Sequence, residues 1–251
     1  MYIINSSNLI QYQVKNFLLF TTTRKFFSFT SVFTNNPISS ISREKTQCLV
    51  EFLLKSKSKI NLKDKILLLC EQVHGNNVVM VSENTMSENY QIVKMKDSQL
   101  NELIELKYRV LLGTDGVLAT HKEYLIIIFT ADCVPLFVYC EKQGLFGLIH
   151  IGRKGLESGI INNLINTIIK QKFDPKNIKF ILGPHICSNC YYVNNSKYYL
   201  SESIVKDLIE AGFSINNIYV SDLCTYHHTD MFFSYRRDKS PYRLVSAITP
   251  L

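Results

Sequence analysis

The chain lacks several features that would assign its class at once. A run of about 18 uninterrupted apolar residues is missing, because the densest runs, such as residues 125–129, are short and have polar neighbours, so no membrane-spanning segment is predicted. The polar, charge-rich composition of disordered chains is also absent, since 46% of the residues are hydrophobic and 20% are charged. Neither an internal repeat nor a low-complexity linker interrupts the 251 residues. We therefore predict a single folded domain over residues 1–251.

The N-terminal segment lacks acidic residues, and the chain lacks a cysteine count that would allow full pairing. The first acidic residue is Glu44, so the N-terminal segment has the acid-poor composition of a transit peptide. Residues 17–22 nevertheless have a strand pattern, and we interpret residues 16–23 as the first strand of the domain. The seven cysteines are an odd number, so a fully paired disulfide framework is impossible. Reduced thiols and a cytoplasmic location are the prediction.

Lysine and arginine exceed aspartate and glutamate, 28 against 21, which gives a formal net charge of +7. A basic balance suits an anionic partner such as phosphate, nucleic acid or an acidic surface. The lysines between positions 55 and 65 are scattered rather than interleaved with aromatic residues on one face. We therefore predict a solvated basic surface and no nucleic-acid partner.

The apolar periodicity predicts an α/β fold, with a mixed central sheet layered with helices. Predicted strands cover residues 17–22, 66–69, 78–81, 125–130, 136–139, 145–151, 178–182 and 217–220. Predicted helices cover residues 43–55, 156 to the turn at 174–175, and 202–211, the last capped by Ser201 and stopped by Gly212. Residues 82–107 show no repeating pattern and are predicted to form a long connection.

Two histidines and one cysteine stand at predicted strand ends beside turns. His74 precedes a glycine, Cys133 follows an apolar strand, and His150 closes another. Two imidazoles and a thiolate form a three-ligand zinc set with one open position, as in catalytic zinc sites. The separations of 59 and 17 residues carry little weight alone. An inert buried thiol and hydrogen-bonded core histidines are the alternative.

Five groups of residues, in this order, resemble the motifs of one known family. They are EQVHG at 71–75, TADCVP at 130–135, HIGRKG at 150–155, GPHI at 183–186, and CTY at 224–226 leading to FFSYRRD at 232–238. Together they resemble the laccase-domain (YfiH-type) family, described as multi-copper polyphenol oxidases and as purine nucleoside phosphorylases. Thr23, Arg24 and Ser28 also look like the early turn of that family, which supports placing the acid-poor start within the fold.

The resemblance implies a function and a set of site residues. His74, Cys133 and His150 match the zinc ligands of the family, which makes zinc the expected cofactor, with copper as the other possibility. The implied activities are phosphorolysis of inosine, adenosine and methylthioadenosine, and deamination of adenosine. The implied partners are a purine nucleoside and phosphate, with Arg24, Arg153, Lys154 and Arg237 as substrate-binding candidates.

The chain departs from the family pattern at two turns. Arg153 and Lys154 stand where the family has tryptophan and arginine, and Phe26 and Phe27 stand where it has glycines. Exchanging arginine for lysine replaces a planar bidentate donor with a point charge. The altered turn keeps open a partner-binding protein with a degenerate site. Two other hypotheses stand beside it: a copper-dependent polyphenol oxidase, which is the other description of the family, and a hydrolase that uses Cys133 as its nucleophile and a histidine as its base.

Structural or surface roles are predicted for the other residues that could be reactive. Cys187 and Cys190 form one CxxC, a pattern that can bind a metal or cycle as a disulfide, but without a second CxxC they are predicted to be ordinary thiols. The adjacent His227 and His228 are predicted to lie at the surface. Asp115 is predicted to stabilise its own turn. Glu71 and Asp132 adjoin the motifs, but neither is assigned as a catalytic acid.

Overall fold

Two β-sheets form most of the protein in the computed structural model, which describes residues 2–5, 9–26, 62–82, 90–96, 103–239 and 241–251. In spatial order, the eight-stranded sheet contains β1 (Tyr2–Asn5), β2 (Leu9–Val14), β3 (Phe17–Thr22), β16 (Leu244–Pro250), β9 (Tyr124–Thr130), β4 (Ile66–Cys70), β7 (Leu103–Leu111) and β6 (Gln91–Lys96). The six-stranded sheet contains β15 (Ile218–Val220), β12 (Lys179–Leu182), β10 (Val134–Cys140), β11 (Leu145–Ile151), β8 (Gly116–Ala119) and β5 (Val78–Val81). A small hairpin joins β13 (Tyr192–Val193) to β14 (Ser196–Lys197).

The two faces of the six-stranded sheet pack against different layers. On β10, Phe137 and Tyr139 belong to the core shared with the eight-stranded sheet. Leu136 and Val138, which alternate with them, belong to the core shared with the helices. The fold thus has three layers, because every residue of β10 is buried on one side or the other.

Within the described residues, four α-helices accompany the sheets: α1 (Arg153–Glu157), α2 (Ile160–Lys170), α3 (Leu200–Glu210) and α4 (Tyr235–Asp238). The buried side of α2 carries Ile160, Leu164 and Ile168, which recur every four residues as the sequence pattern predicts. The predicted single helix is interrupted, since Gly159 takes a left-handed conformation with φ of 89° between α1 and α2. No described helix has the length and apolarity needed to cross a membrane.

The prediction of a mixed α/β fold is confirmed, because both sheets contain parallel and antiparallel pairs. Four details differ. There are two packed sheets rather than one. Residues 82–107 include strand β6 and the first part of β7, whose alternation is too polar to be recognised. Residues 16–23 form the third strand, since β1 and β2 precede them. Helix α3 begins at Leu200 without a side-chain cap, so Ser201 is not its N-cap. The predicted helix at 43–55 lies outside the described residues.

Three neighbouring strands of the eight-stranded sheet end at the same side of it, and from each of them the chain passes to the other sheet. Strands β7, β4 and β9 run parallel and adjacent, and each continues through a short connection into a strand of the other sheet: β8, β5 and β10 respectively. Strand β11 pairs antiparallel with both β10 and β8, so its last residues meet the first residues of those strands. Side chains from four distant parts of the sequence therefore converge at one end of the two sheets.

Candidate metal centre

His74, Cys133 and His150 meet at the end of the sheets where the three connections cross. His74 lies in the β4–β5 connection, Cys133 in the β9–β10 connection, and His150 is the next-to-last residue of β11. One nitrogen of each imidazole and the sulfur of Cys133 all lie within 4.8 Å of one another. The two imidazole rings are edge-on, with centroids 4.7 Å apart. Bound to zinc, such a set would leave the fourth tetrahedral position open.

Asp115 in the third connection, β7–β8, fixes both histidines. Its Oδ1 lies 2.9 Å from Nδ1 of His150 and accepts a hydrogen bond from the His74 amide at 3.0 Å, and Oδ2 accepts one from the Gly75 amide. The carboxylate is fully buried. Because an ionised carboxylate only accepts, Nδ1 of His150 donates to it, so Nε2 is the nitrogen that can bind a metal after it gives up its proton, a common arrangement behind zinc ligands. The predicted role of Asp115 in its own turn was therefore too narrow.

Two glycines allow the backbone of the 150–155 turn to pack closely against the residues that carry the other two ligands. A Cβ on Gly152 would lie 3.0 Å from the Cys133 sulfur and 3.1 Å from Cδ2 of His74. A Cβ on Gly155 would lie 2.7 Å from the carbonyl oxygen of Gly75. The glycines of the 150–155 turn are thus required because the turn packs directly on the other two ligands. His74 itself has a φ of 59°, a left-handed conformation that aims its ring at this point.

Neighbouring charged groups stabilise the thiolate form of Cys133. Burial raises the pKa of Cys133, but the adjacent imidazoles of His150 and His74 outweigh it and lower that pKa to about 6. Burial lowers the pKa of His150, but Cys133 and Asp115 outweigh it and raise that pKa to about 9. The metal-free centre therefore holds a thiolate beside an imidazolium near neutral pH. A thiolate is the form of cysteine that binds zinc.

A cavity of about 620 Å³ opens over the three ligands. Its wall carries five basic side chains, namely those of Arg153, Lys154, Arg236, Lys239 and Arg243. It also carries the aromatic side chains of Phe129, Tyr191 and Tyr235. The volume suits a small ligand, and the charge favours an anionic one.

The predicted substrate-binding residues divide into two groups. Arg153 and Lys154 line the cavity, and the Arg153 guanidinium also pairs with Glu157 at 2.8 Å. Arg24 and Arg237 are not among the lining residues. Arg24 donates to the carbonyl oxygen of Thr229. The Arg237 guanidinium donates to the carbonyl oxygens of Thr225, Tyr226 and Phe232, which ties the segment before α4 together.

Sequence reasoning selected Arg237 from the two adjacent arginines of FFSYRRD, and it passed over Lys239 and Arg243 on the wall. Arg236 lies at the cavity with its guanidinium 5.0 Å from the centre of the Tyr191 ring, whereas its neighbour Arg237 points into the loop. Successive residues on a helical turn face different directions, so Arg236 faces the cavity and Arg237 faces the loop. Arg243 directly precedes the last strand, β16, where no sequence pattern marks it.

The two carboxylates next to the ligands are used structurally. Glu71 accepts a hydrogen bond from the amide of Gly113, which joins two of the three connections. Asp132 has a φ of 86° and accepts hydrogen bonds from the Thr225 hydroxyl at 2.7 Å and from the Arg236 amide at 2.6 Å. Asp132 thus fixes the wall beside Cys133. Because both carboxylates accept hydrogen bonds that hold loops together, neither is assigned as the catalytic acid.

The chain as a whole is similar to known proteins. The family model described as multi-copper polyphenol oxidoreductase laccase matches residues 18–199 and 195–249. The chain belongs to this laccase family. Among its relatives, a protein named purine nucleoside phosphorylase from Staphylococcus epidermidis is 29% identical over 192 residues, which cover 67% of this chain and 66% of the relative, just under two thirds of its length. Another of that name, from Campylobacter jejuni, is 24% identical over 71% of this chain and 74% of its own.

Solved structures of the laccase family share the fold. The crystal structure of YlmD from Geobacillus stearothermophilus has a TM-score of 0.71 and 20% sequence identity, and covers 98% of this chain and 97% of its own. The Bacillus licheniformis hypothetical protein YfiH has a TM-score of 0.72, with the same identity and coverage. The two-sheet architecture is therefore that of the family.

Proposed function

We propose that this protein is a zinc-dependent purine nucleoside phosphorylase that accepts inosine, adenosine and methylthioadenosine, and that the same site deaminates adenosine. The observation that carries the proposal is the convergence of His74, Cys133 and His150 at the base of a basic cavity of about 620 Å³. The names of the relatives from Staphylococcus epidermidis and Campylobacter jejuni support phosphorolysis. The deaminase activity rests on the resemblance to the family and on the shared site.

The donor set fits zinc. Two imidazoles and a thiolate are ligands that zinc accepts, and Asp115 orients His150 so that Nε2 remains available. When bound, zinc acts as a Lewis acid and lowers the pKa of a bound water from about 16 towards 7. Copper is the second candidate for the same residues, because imidazole and thiolate also bind it.

The cavity wall offers cationic and aromatic groups that suit phosphorolysis. An oxygen of hydrogen phosphate attacks the anomeric carbon of the ribose as the bond to the purine nitrogen breaks, and the proton that the phosphate loses ends on that nitrogen, which yields ribose 1-phosphate and the free base. Lys154, Arg236 and Arg243 offer cationic groups that would hold the phosphate at the attacking position. The exposed ring of Tyr235 and the ring of Tyr191 offer surfaces on which a purine can stack.

The test is product analysis with the zinc-loaded chain. We expect inosine and phosphate to give hypoxanthine and ribose 1-phosphate, and adenosine without phosphate to give inosine and ammonia. His74→Ala, Cys133→Ala and His150→Ala should each abolish both reactions. His121→Ala is the matched control, since His121 lies outside the cavity lining and its ring packs on Tyr124. Normal phosphorolysis of inosine by all three ligand variants would refute the mechanism.

Each alternative function is favoured by a different observation and would give a different experimental result. The name of the matching family favours copper-dependent phenol oxidation, but only two of the six histidines lie at this centre, far fewer than a multi-copper site needs. Copper-dependent oxygen uptake with a phenol would support that reading. The low pKa of Cys133 favours a cysteine nucleophile, which a trapped acyl-enzyme would demonstrate. A folded chain without zinc or turnover would favour a partner-binding protein.

The six described cysteines are free thiols. We therefore extend the proposal to a reducing compartment, with the cytoplasm as the location. Labelled protein in fractionated cells would test it.

A further inference from the structure

A second group of potential metal ligands lies outside the centre described above. It consists of Cys187 and Cys190 in the loop after β12, and Cys224 and His227 in the loop after β15. The three sulfurs and one ring nitrogen of His227 all lie within 4.8 Å of one another. His227 is exposed, as predicted. The convergence of the two pairs could not be foreseen, because they are far apart in sequence and neither pair is diagnostic alone.

We propose that Cys187, Cys190, Cys224 and His227 bind a structural zinc ion, separate from the ion at His74, Cys133 and His150. Three thiolates and one imidazole form a complete tetrahedral set, and a closed set of this kind is typical of structural zinc. Zinc–ligand bonds of about 2.0–2.3 Å place the donor atoms of such a site roughly 3.5–3.8 Å apart. The His227 ring lies at comparable distances from both sulfurs of the C-x-x-C, with Nε2 3.0 Å from the Cys190 sulfur and Nδ1 3.9 Å from the Cys187 sulfur.

The backbone supports each pair of ligands with a turn. The Cys190 amide donates to the carbonyl oxygen of Cys187 at 3.0 Å, which brings the two sulfurs of the C-x-x-C to the same side. The His228 amide donates to the carbonyl oxygen of Cys224 at 3.1 Å, which does the same for the C-x-x-H pair. Two such turns facing each other supply two ligands each, the pattern of a four-ligand zinc site.

The two turns are also joined to each other. The amide of Cys187 donates to the Cys224 sulfur at 3.3 Å, and a hydrogen bond to sulfur stabilises the thiolate that a metal requires. His185 and Cys224 form a parallel bridge, and the Thr225 amide donates to the carbonyl oxygen of His185. The ligand loops are therefore held in register before any ion binds.

The position of the group suggests what the ion does. The first loop supplies Ile186 and Tyr191 to the cavity wall, and the Ile186 amide donates to the carbonyl oxygen of Asp132. The second loop supplies Thr225, whose hydroxyl donates to the Asp132 carboxylate. Zinc here would clamp both loops onto the residue that precedes Cys133, and so stabilise the wall without contacting the substrate.

Zinc analysis of purified chains tests the proposal independently of catalysis. We expect two zinc ions per wild-type chain, one in Cys133→Ser, one in Cys190→Ser, and none in the variant that carries both changes. The zinc of Cys133→Ser decides the question, because the centre at His74 is then disabled. If that folded variant binds no zinc, the proposal is wrong.

His227 and His228 provide a matched pair. We expect His227→Ala to lose the second zinc to a competing chelator, whereas His228→Ala keeps it, because the ring of His228 stacks on Phe232 instead. If both variants keep two ions, His227 is not a ligand and the proposed site is overturned.

Cobalt provides a readout that does not depend on those variants. Cys133→Ser loaded with Co²⁺ should show the intense thiolate-to-cobalt absorption and tetrahedral ligand-field bands of a three-thiolate site. Absence of these bands would contradict the proposal. So would a Cys187–Cys190 disulfide in protein purified without oxygen.

Discussion

Replacement of Asp115 by asparagine tests how the candidate metal centre is held. The amide keeps the shape of the carboxylate but removes its charge, and one of its two ends becomes a donor. Placing that donor at the Oδ1 position would oppose the N–H groups of both His150 and His74. We therefore expect it at the Oδ2 position, where it opposes only the amide of Gly75. His150 then keeps a hydrogen bond to a neutral oxygen.

The expected magnitude follows from this geometry. Loss of a charged partner behind a metal-bound histidine lowers metal affinity by about 10–100-fold, which corresponds to about 1.4–2.7 kcal/mol. The measurement is zinc competition with a chromophoric chelator, performed in a Cys190→Ser background so that a single site is titrated. Thermal unfolding of the metal-free chain separates loss of affinity from loss of fold.

Glu71→Gln is the control for Asp115→Asn. Glu71 also accepts a backbone hydrogen bond between two of the connections, but it contacts none of the three ligands. We expect this change to leave zinc affinity within about twofold of the wild type. If Asp115→Asn binds zinc as tightly as Glu71→Gln does, Asp115 does not orient His150 and the reasoning fails.

Four further predictions concern the cavity, the ligands and the core. Lys154→Ala should raise the KM for phosphate about tenfold, by loss of a charged contact, and an unchanged KM in steady-state assays would remove Lys154 from the phosphate site. Gly152→Ala should lower zinc content, because its Cβ would lie 3.0 Å from the Cys133 sulfur; full zinc content by elemental analysis would contradict this. In metal-free protein, alkylation of Cys133 should slow as the pH falls through about 6 and the thiolate is protonated, whereas a midpoint above pH 8 would show an ordinary thiol. Phe137→Ala should lower the free energy of unfolding by about 3–5 kcal/mol, and exposed Ile169→Ala by less than about 0.5 kcal/mol, as measured by urea denaturation.

The sequence predicts the buried strands better than the exposed ones. Strands β9, β10 and β11 are buried along their whole length, and their continuous apolar runs reveal them directly. Strand β6 alternates buried Val93 with exposed Ile92 and Lys94, and its polar side resembles a loop pattern. The existence of two sheets is decided by which strands pair over long distances, and periodicity carries no information about that.

The three ligands could be proposed from the sequence because each stands at a strand end within a recognisable motif. Asp115 also stands at a strand start, but a turn of the form GTDG gives no sign that its carboxylate reaches His150, 35 positions away. The second group of cysteines was missed for the same reason. Its two halves become one site only when β12 and β15 pair in parallel and bring the loops that follow them together.

Diffraction from crystals of the purified protein at the zinc absorption edge tests the central claim most directly. The account predicts an anomalous peak at bonding distance, about 2.0–2.3 Å, from a nitrogen of His74, a nitrogen of His150 and the sulfur of Cys133. Zinc bound elsewhere, with these three side chains turned away from one another, would contradict it.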